Sequence, residues 1–346
     1  MREKTADPIY ILINPAKNSS NYSNAIWRSQ RNTKSSIMEN LYEIQNPWDV
    51  IIVGGGPAGL NAALILGRCR RKVLLYDAGK PRNAVSKGMH GFLSRDGISP
   101  HEFLAVGREQ LLTYSSVTVR DLEVTDAKQA RTGFELVQSD GVRTLCRKLI
   151  LATGLIDTLP DVAGLKELYG HSVFLCPFCD GWELRDQPLA VYGQGKQGVE
   201  LALELILWSK DVVFCTDGGR MVDVEEFARL ERNGISSRHE PIDYLEATDG
   251  ILQRIVFKSG PALARRAIFF SSCQHQRSEL PRKLGCKITD EGLVETGDYE
   301  ACNVPGLYVA GNASKSLMQL SIVAAAEGVE AAFAANDALI AEDLAK

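Results

Sequence analysis

Residues 48–53, Trp-Asp-Val-Ile-Ile-Val, form a nearly continuous apolar run of the kind a strand buried on both faces requires. A glycine turn follows at once, Gly54-Gly55-Gly56-Pro57-Ala58-Gly59, and the Ala/Leu-rich stretch 60–68 then predicts a helix. The same order recurs later in the chain. Residues 189–192 predict a strand, Gly193-Gln194-Gly195-Lys196-Gln197-Gly198 a turn, and 200–208 a helix. Short apolar runs at 72–76, 148–153, 211–215 and 267–270 predict further strands. Residues 306–313 end another, and 318–320 open a helix that runs through 324–335. Strands alternating with helices place the chain in the α/β class.

The first 46 residues differ in kind. They are rich in Asn, Ser and Lys/Arg, carry a short apolar patch at 9–13 and show no sustained period, so a leader with little fixed structure is expected. They lack the apolar core and cleavage site of a signal peptide, and Glu3 and Asp7 dilute a transit-peptide composition. Met38 is an alternative start. With 346 residues, 45% of them apolar, the chain can build two ordinary domains. Lys and Arg number 39 against 43 Asp and Glu, which gives no electrostatic footprint for nucleic acid. No apolar run approaches the roughly 20 residues of a membrane span, so a soluble, cytoplasmic protein is expected.

Each glycine of the first turn has a separate task. Gly54 allows the tight turn, Gly56 lets the backbone approach a pyrophosphate, and Gly59 lets the helix pack on the strand, while the helix N-terminus beginning near Pro57 and Ala58 faces the phosphates. Asp77, followed by Ala78, ends the next predicted strand, where a carboxylate can hold ribose hydroxyls. Thr153-Gly154 closes a further strand, and Gly311-Asn312 another. Beside the last helix, the Gln319 amide and Leu320 suit the pyrimidine edge of a flavin, where negative charge collects on reduction.

Between the two glycine turns lies Cys176-Pro177-Phe178-Cys179-Asp180. No second Cys-x-x-Cys exists to complete a zinc site, and the eight cysteines do not form a secreted framework, so the pair is read as redox chemistry in a reducing compartment. At the start of a helix one thiol of such a pair has its pKa lowered by the dipole, and only the thiolate attacks disulfides. Asp180 is positioned to give and take the proton, provided burial raises its pKa toward neutrality. Cys69, Cys146, Cys215, Cys273, Cys286 and Cys302 are isolated in sequence and are assigned to packing. None of the five histidines is spaced as a metal pair, and no metal is expected.

Taken together, these residues resemble the low-molecular-weight thioredoxin reductases, over about residues 47–340. The resemblance implies two Rossmann-like three-layer nucleotide-binding domains, the second inserted into the first: an FAD domain of residues 47–160 and 282–346, and a central domain of 161–281 carrying the Cys-x-x-Cys. It implies FAD on Gly54, Gly56, Gly59, Asp77, Gln319 and Leu320, with Pro57, Ala58, Ala78, Thr153, Gly154 and Gly311 in the same site. Asn312 departs from the pattern. It stands where the family usually has an Asp toward the flavin ribitol, and an amide bonds a hydroxyl without charge. The resemblance also implies that Cys179 faces the flavin, that Cys176 exchanges with a thioredoxin-like protein or small dithiol/disulfide, and that the protein is a homodimer whose domains rotate. His90 lies in a loop expected near the flavin, and His275 near the flavin or the domain hinge.

The second turn, Gly193, Gly195 and Gly198, is read as the central nucleotide site. NADPH-dependent members of the family carry a basic cluster after the next strand. This chain has Thr216-Asp217-Gly218, and a carboxylate there repels a 2'-phosphate. NADPH is therefore disfavoured, and NADH or a second FAD is expected. A pyridine-nucleotide thioredoxin reductase is the default reading; a diflavin disulfide oxidoreductase and a dithiol oxidase using oxygen are the alternatives. Oxidases of that kind tend to carry His after the second Cys, so Asp180 argues against the last.

Overall fold

The computed structural model describes residues 47–219, 223–314 and 318–345, so the expectations for residues 1–46 and for a start at Met38 lie outside the described residues. From its first described strand the chain alternates β1 (Trp48–Val53), α1 (Pro57–Arg68), β2 (Val73–Tyr76), α2 (Pro100–Leu111) and β3 (Val117–Arg120), with the three strands parallel in the order β3-β2-β1. Along β1, Ile51 and Val53 enter one apolar cluster, whereas Val50 and Ile52 enter another on the opposite face. That double burial explains why the strand is apolar at nearly every position.

A meander follows: β4 (Val124–Ala130), β5 (Gly133–Gln138) and β6 (Arg143–Leu151). β6 is longer than the predicted 148–153 because its two ends have different partners. Its first half pairs antiparallel with β5, and its second half lies parallel to β1, with Leu151 opposite Val53. The chain then crosses on β7 (Leu155–Asp157) into α3 (Leu165–Leu168), β8 (Val173–Phe174), α4 (Pro177–Asp180), β9 (Leu189–Tyr192), α5 (Gly195–Leu205), β10 (Val212–Cys215), α6 (Val224–Arg232) and β11 (Ser236–Arg238). Next come β12 (Ile242–Thr248), β13 (Ile251–Phe257), β14 (Leu263–Ala264) and β15 (Ala267–Phe270). A second parallel sheet has the order β11-β10-β9-β15-β8, and β12-β13-β14 form a small antiparallel sheet.

The return path uses β16 (Gln274–Gln276), antiparallel to β7, then α7 (Leu280–Lys283), β17 (Leu307–Val309) and α8 (Ser321–Leu344). β17 rejoins the first sheet beside β6. The β7–β16 ribbon is thus where the chain leaves and re-enters the first sheet.

Helix ends differ from the sequence pattern for local reasons. α1 starts at Pro57, whose fixed φ and missing N–H suit a first helical position. α5 begins inside its glycine turn and ends at Leu205, where Trp208 N bonds Leu205 O at 3.1 Å in a tightening turn. α8 starts only at Ser321, after the extended Leu320, and runs nine residues beyond 335. Its last turn carries Glu342 and Asp343, an unfavourable sign for a helix C-terminus. Arg147 Nη2 offsets this at 2.9 and 2.7 Å, Arg71 Nη1 reaches Asp343 at 2.8 Å, and Lys148 pairs with Glu342.

The glycine turn is closed by contact. A β-carbon on Gly59 would lie 1.8 Å from Gly54 O, and Gly54 has φ +117°. α8 presses on α1 in the same way, because a β-carbon on Gly328 would lie 2.0 Å from Ala58 O. Helix propensity alone favours Ala over Gly by about 1 kcal/mol, but here the added methyl meets backbone, and overpacking costs about 1–3 kcal/mol. Gly328→Ala is therefore expected to lower the urea midpoint of unfolding. A higher midpoint would show that the two helices do not need this approach.

Candidate active site

One cavity of about 1810 Å³ runs from the first glycine turn to the cysteine pair. Its wall takes in Gly54, Gly56, Pro57, Ala58, Asp77 and Ala78 at one end, and Thr153, Gly154, Gly311 and Asn312 along its length. Gln319 and Leu320 lie along it too, and Cys176, Cys179 and Asp180 reach its other side. Gly59 does not line it and serves the packing of α1 instead. The structure therefore brings together every candidate residue of the first turn that faces outward, along with the dithiol.

The cavity end at α1 is built to receive an anion. Gly56 precedes the helix with no side-chain cap, so the first-turn N–H groups have no capping side chain, and a β-carbon at Gly56 would meet nothing within 4 Å. Asp77 Oδ1 accepts from Gly79 N at 2.8 Å, while its other oxygen pairs with Arg108, a side chain absent from the sequence-level candidates. Thr153 Oγ1 is buried, lines the cavity and has no hydrogen-bond partner among the described residues. Such an orphaned hydroxyl calls for a ligand atom. An elongated dinucleotide with a pyrophosphate and a polar ring system fits this set of donors.

At mid-cavity, Gln319 is fixed rather than loose. Its Oε1 accepts from Arg82 Nη1 at 2.6 Å and from Gln274 Nε2 at 3.0 Å, and its Nε2 donates to Gln274 Oε1 at 2.6 Å. Arg82 grips Asp157 with Nε at 2.6 Å and Nη2 at 2.5 Å. Sequence reasoning missed Arg82 and Asp157, because no local motif links residues 75 positions apart. On β16 Gln274 points inward, whereas His275 is exposed, opposite Ile156 on the ribbon. His275 therefore belongs to the ribbon and does not line the cavity.

Cys176 and Cys179 form a disulfide across α4, with Cys176 at the N-cap. Phe178 between them is 66% exposed and meets Trp208 edge-on at 5.5 Å. Asp180 is pushed up to about 7, chiefly by burial, with Glu183 adding to the rise and His90 opposing it. His90 sits between two carboxylates, Nε2 at 3.6 Å from Glu183 and Nδ1 at 3.5 Å from Asp96. This chain thus places a carboxyl group that changes charge near neutral pH beside a disulfide.

The second glycine turn is formed and borders this cavity through Lys196 and Gln197, while Gly193, Gly195, Gly198 and Asp217 do not line it. Gly193 and Gly198 touch closely enough that a β-carbon on Gly193 would lie 2.8 Å from Gly198 Cα. Asp217, at φ 52°, is held from two sides: Oδ1 accepts from Ile242 N at 2.6 Å and Oδ2 from Tyr192 OH at 3.0 Å. Burial and that carboxylate push the Tyr192 hydroxyl up to about 12.

Residues 48–328 match the family described as pyridine nucleotide-disulphide oxidoreductase. The chain belongs to that family. It is 30% identical over 278 residues to the thioredoxin reductase tcpT of Claviceps purpurea, covering 76% of this chain and 86% of that one. Among solved structures it resembles the putative thioredoxin reductase TrxB of Bacillus anthracis, with a TM-score of 0.81, 33% identity and coverage of 86% and 99%. It also resembles HlmI, with a TM-score of 0.83, 35% identity and coverage of 87% and 95%. The two glycine turns and the disulfide thus sit on the fold of this oxidoreductase family.

Asp180 gives a pH signature. Its folded value of about 7 lies well above the ordinary unfolded carboxyl near 4, so the folded state holds a proton through that window while the unfolded state does not. Stability therefore falls as pH rises from about 4 to 7, and the full penalty is present above 7. Asp180→Asn cannot ionise and is expected to lose less melting temperature than the parent between pH 5 and pH 8. Parallel pH slopes for the two proteins would exclude Asp180 as the titrating group.

Proposed function

We propose that Cys176 and Cys179 are the working dithiol of this FAD-dependent, thioredoxin-reductase-type disulfide oxidoreductase, with an external thiol/disulfide as the other partner. One observation carries the reading: the Cys176–Cys179 disulfide and the first glycine turn open onto the same cavity. The α1 N-terminus and Gly56 would hold the pyrophosphate of FAD, Asp77 the ribose, and Thr153, Asn312 and Gln319 the flavin and its ribityl chain. Bound there, FAD supplies a two-electron couple.

The protein's own part is thiol chemistry. In the dithiol form, Cys176 Sγ attacks the external disulfide, and Cys179 Sγ then resolves the mixed disulfide, releasing a second thiol. Asp180, poised near neutrality, holds the proton that the thiols exchange. Exposed Phe178 and Trp182 flank the pair and offer an apolar face to a thioredoxin-like protein or small disulfide. The division into an FAD domain of 47–160 and 282–346 and a central domain of 161–281 is supported by two separate sheets, one mixed and one parallel, joined through the β7–β16 ribbon. A homodimer with rotating domains follows the same reading, since one dithiol must serve both the cavity and a bulky partner.

Cys176→Ser and Cys179→Ser are each expected to retain the parent flavin content while losing disulfide turnover by more than about 10³-fold. Retained turnover in either variant removes the pair from the reaction.

For the central site we propose a nucleotide with an unmodified ribose, either NADH or a second FAD. Ile242 N and Tyr192 OH pin Asp217, so its negative charge cannot swing away from an approaching 2'-phosphate. The lost Arg–phosphate pairing and the added repulsion amount to a few kcal/mol, or about a hundredfold in affinity. NADPH is expected to bleach the flavin slowly and with weak saturation in a stopped-flow assay, and flavin counting gives one per chain for NADH use or two for a second FAD. Rapid bleaching at micromolar NADPH overturns the assignment.

A further inference from the structure

Six cysteines lie outside the Cys176–Cys179 disulfide, and the fold brings two of them together. Cys286, just past α7, and Cys302, just before β17, have sulfurs 3.8 Å apart although 16 positions separate them in sequence. We propose that Cys286 and Cys302 are a second redox pair, which hydrogen peroxide converts to a disulfide independently of Cys176 and Cys179.

The backbone at this point is already clipped for closure. Asn303, next to Cys302, accepts from Lys287 N at 2.8 Å and donates from Nδ2 to Gly285 O at 2.9 Å, gripping the chain on both sides of Cys286. Ordering two loop segments is the main entropic cost of such a bond, and Asn303 has met much of it in the dithiol form. Both sulfurs sit in or against one apolar cluster with Leu284, Val294 and Val304, so neighbouring side chains limit their drift.

The two thiols differ in their surroundings. Cys286 is 8% exposed, and the Cys302 sulfur together with burial raises its thiol. Cys302 is partly exposed; the adjacent Cys286 sulfur pulls its thiol below the ordinary value, Val304 N donates to its sulfur at 3.4 Å, and in the thiol form its S–H reaches Leu307 O at 3.4 Å. A thiolate that is both stabilised and reachable is the one an oxidant meets. Cys302 is therefore the attacking sulfur and Cys286 the resolving one.

The chemistry balances in two steps. Cys302 thiolate attacks one oxygen of hydrogen peroxide; the O–O bond breaks, a sulfenic acid forms and hydroxide leaves. Cys286 sulfur then attacks the Cys302 sulfur; an S–S bond forms, the S–O bond breaks, and the sulfenic oxygen leaves as water with the thiol proton. Two thiols are oxidised by two electrons, and the peroxide is reduced to two waters once the hydroxide takes up the proton Cys302 lost. The resulting bond closes the loop that contains Val294, whose N–H bonds Ala313 O at 2.9 Å behind the Gly311 turn of the cavity.

Tryptic mapping of the purified holoprotein tests this directly, because cleavage after Lys283, Lys287 and Lys315 puts Cys286 and Cys302 on separate peptides, 284–287 and 288–315. After peroxide treatment and alkylation, a peptide pair joined with the loss of two hydrogens is expected, absent after dithiothreitol and formed equally in Cys176→Ser. Cys286→Ala is expected to leave a Cys302 sulfenic acid that dimedone traps. Three outcomes would overturn the proposal: both thiols staying alkylatable while exposed Cys69 and Cys273 are oxidised, Cys302 advancing to sulfinic acid without a cross-link in the parent protein, or a cross-link that requires Cys176.

Discussion

Arg82 and Asp157 form the contact around which the cavity is organised. Asp157 is 4% exposed, and a carboxylate so placed is tolerable only if its lone pairs are filled. Arg82 supplies two of the bonds, and Tyr169, Ser272 and Gln274 approach at 3.2–3.3 Å. These partners come from different places: a loop of the first sheet, the stretch between α3 and β8, and the ends of β15 and β16. Arg82 also reaches Gln319 at the entrance to α8. A single buried charge thus obliges both sheets, the ribbon and the last helix to meet at one point. The pair's net worth to stability is smaller than its geometry suggests, because desolvation consumes most of the attraction. Its value lies in specifying which arrangement satisfies all the groups at once.

The same logic, with the opposite outcome, governs Asp180. It is partly buried and faces Glu183 instead of an arginine, with His90 acting in the opposite direction. Desolvation without a strong partner favours the neutral acid, so the proton stays until near-neutral pH. Two aspartates near one cavity are therefore set apart by their neighbours: Asp157 is tied to Arg82 through two hydrogen bonds, and Asp180 is able to change charge beside sulfur.

The glycine turns, the strands that precede them and the cysteine pair were legible in the sequence because each is a local pattern. A buried strand needs apolar residues on both faces, and a turn pressed against backbone needs glycine, so residues 48–59 announce both within a dozen positions. The hairpin of β4 and β5 and the first half of β6 were not legible, since their faces are only partly covered and β6 exchanges partners midway. Neither were Arg82, Asp157 and Gln274, which act through separations of 75 and 117 residues. Cys286 and Cys302 belong with these: each reads alone as a packing residue, and only the return of the chain to β17 sets their sulfurs side by side.

Asp217 shows how a local sequence feature acquires its meaning from tertiary contacts. The sequence places an acid where relatives that use NADPH carry basic side chains, and an exposed acid there could rotate away from a phosphate or be neutralised by a mobile lysine. Among the described residues it is held from two sides instead. Its backbone is left-handed at φ 52°, its Oδ1 is committed to the first N–H of β12, and its Oδ2 to the Tyr192 hydroxyl at the end of β9. The nearest arginine on the adjoining strand, Arg238, is taken by Glu240 at 2.9 Å and lies over the Phe257 ring at 4.0 Å, which holds the Glu240 carboxyl down to about 2 and keeps that guanidinium occupied. Electrostatic selectivity needs charges that stay where they are when the ligand arrives, because a charge free to reorganise is screened like one in water. For the central site proposed above, the two hydrogen bonds to Asp217 supply the anchoring that such a field requires.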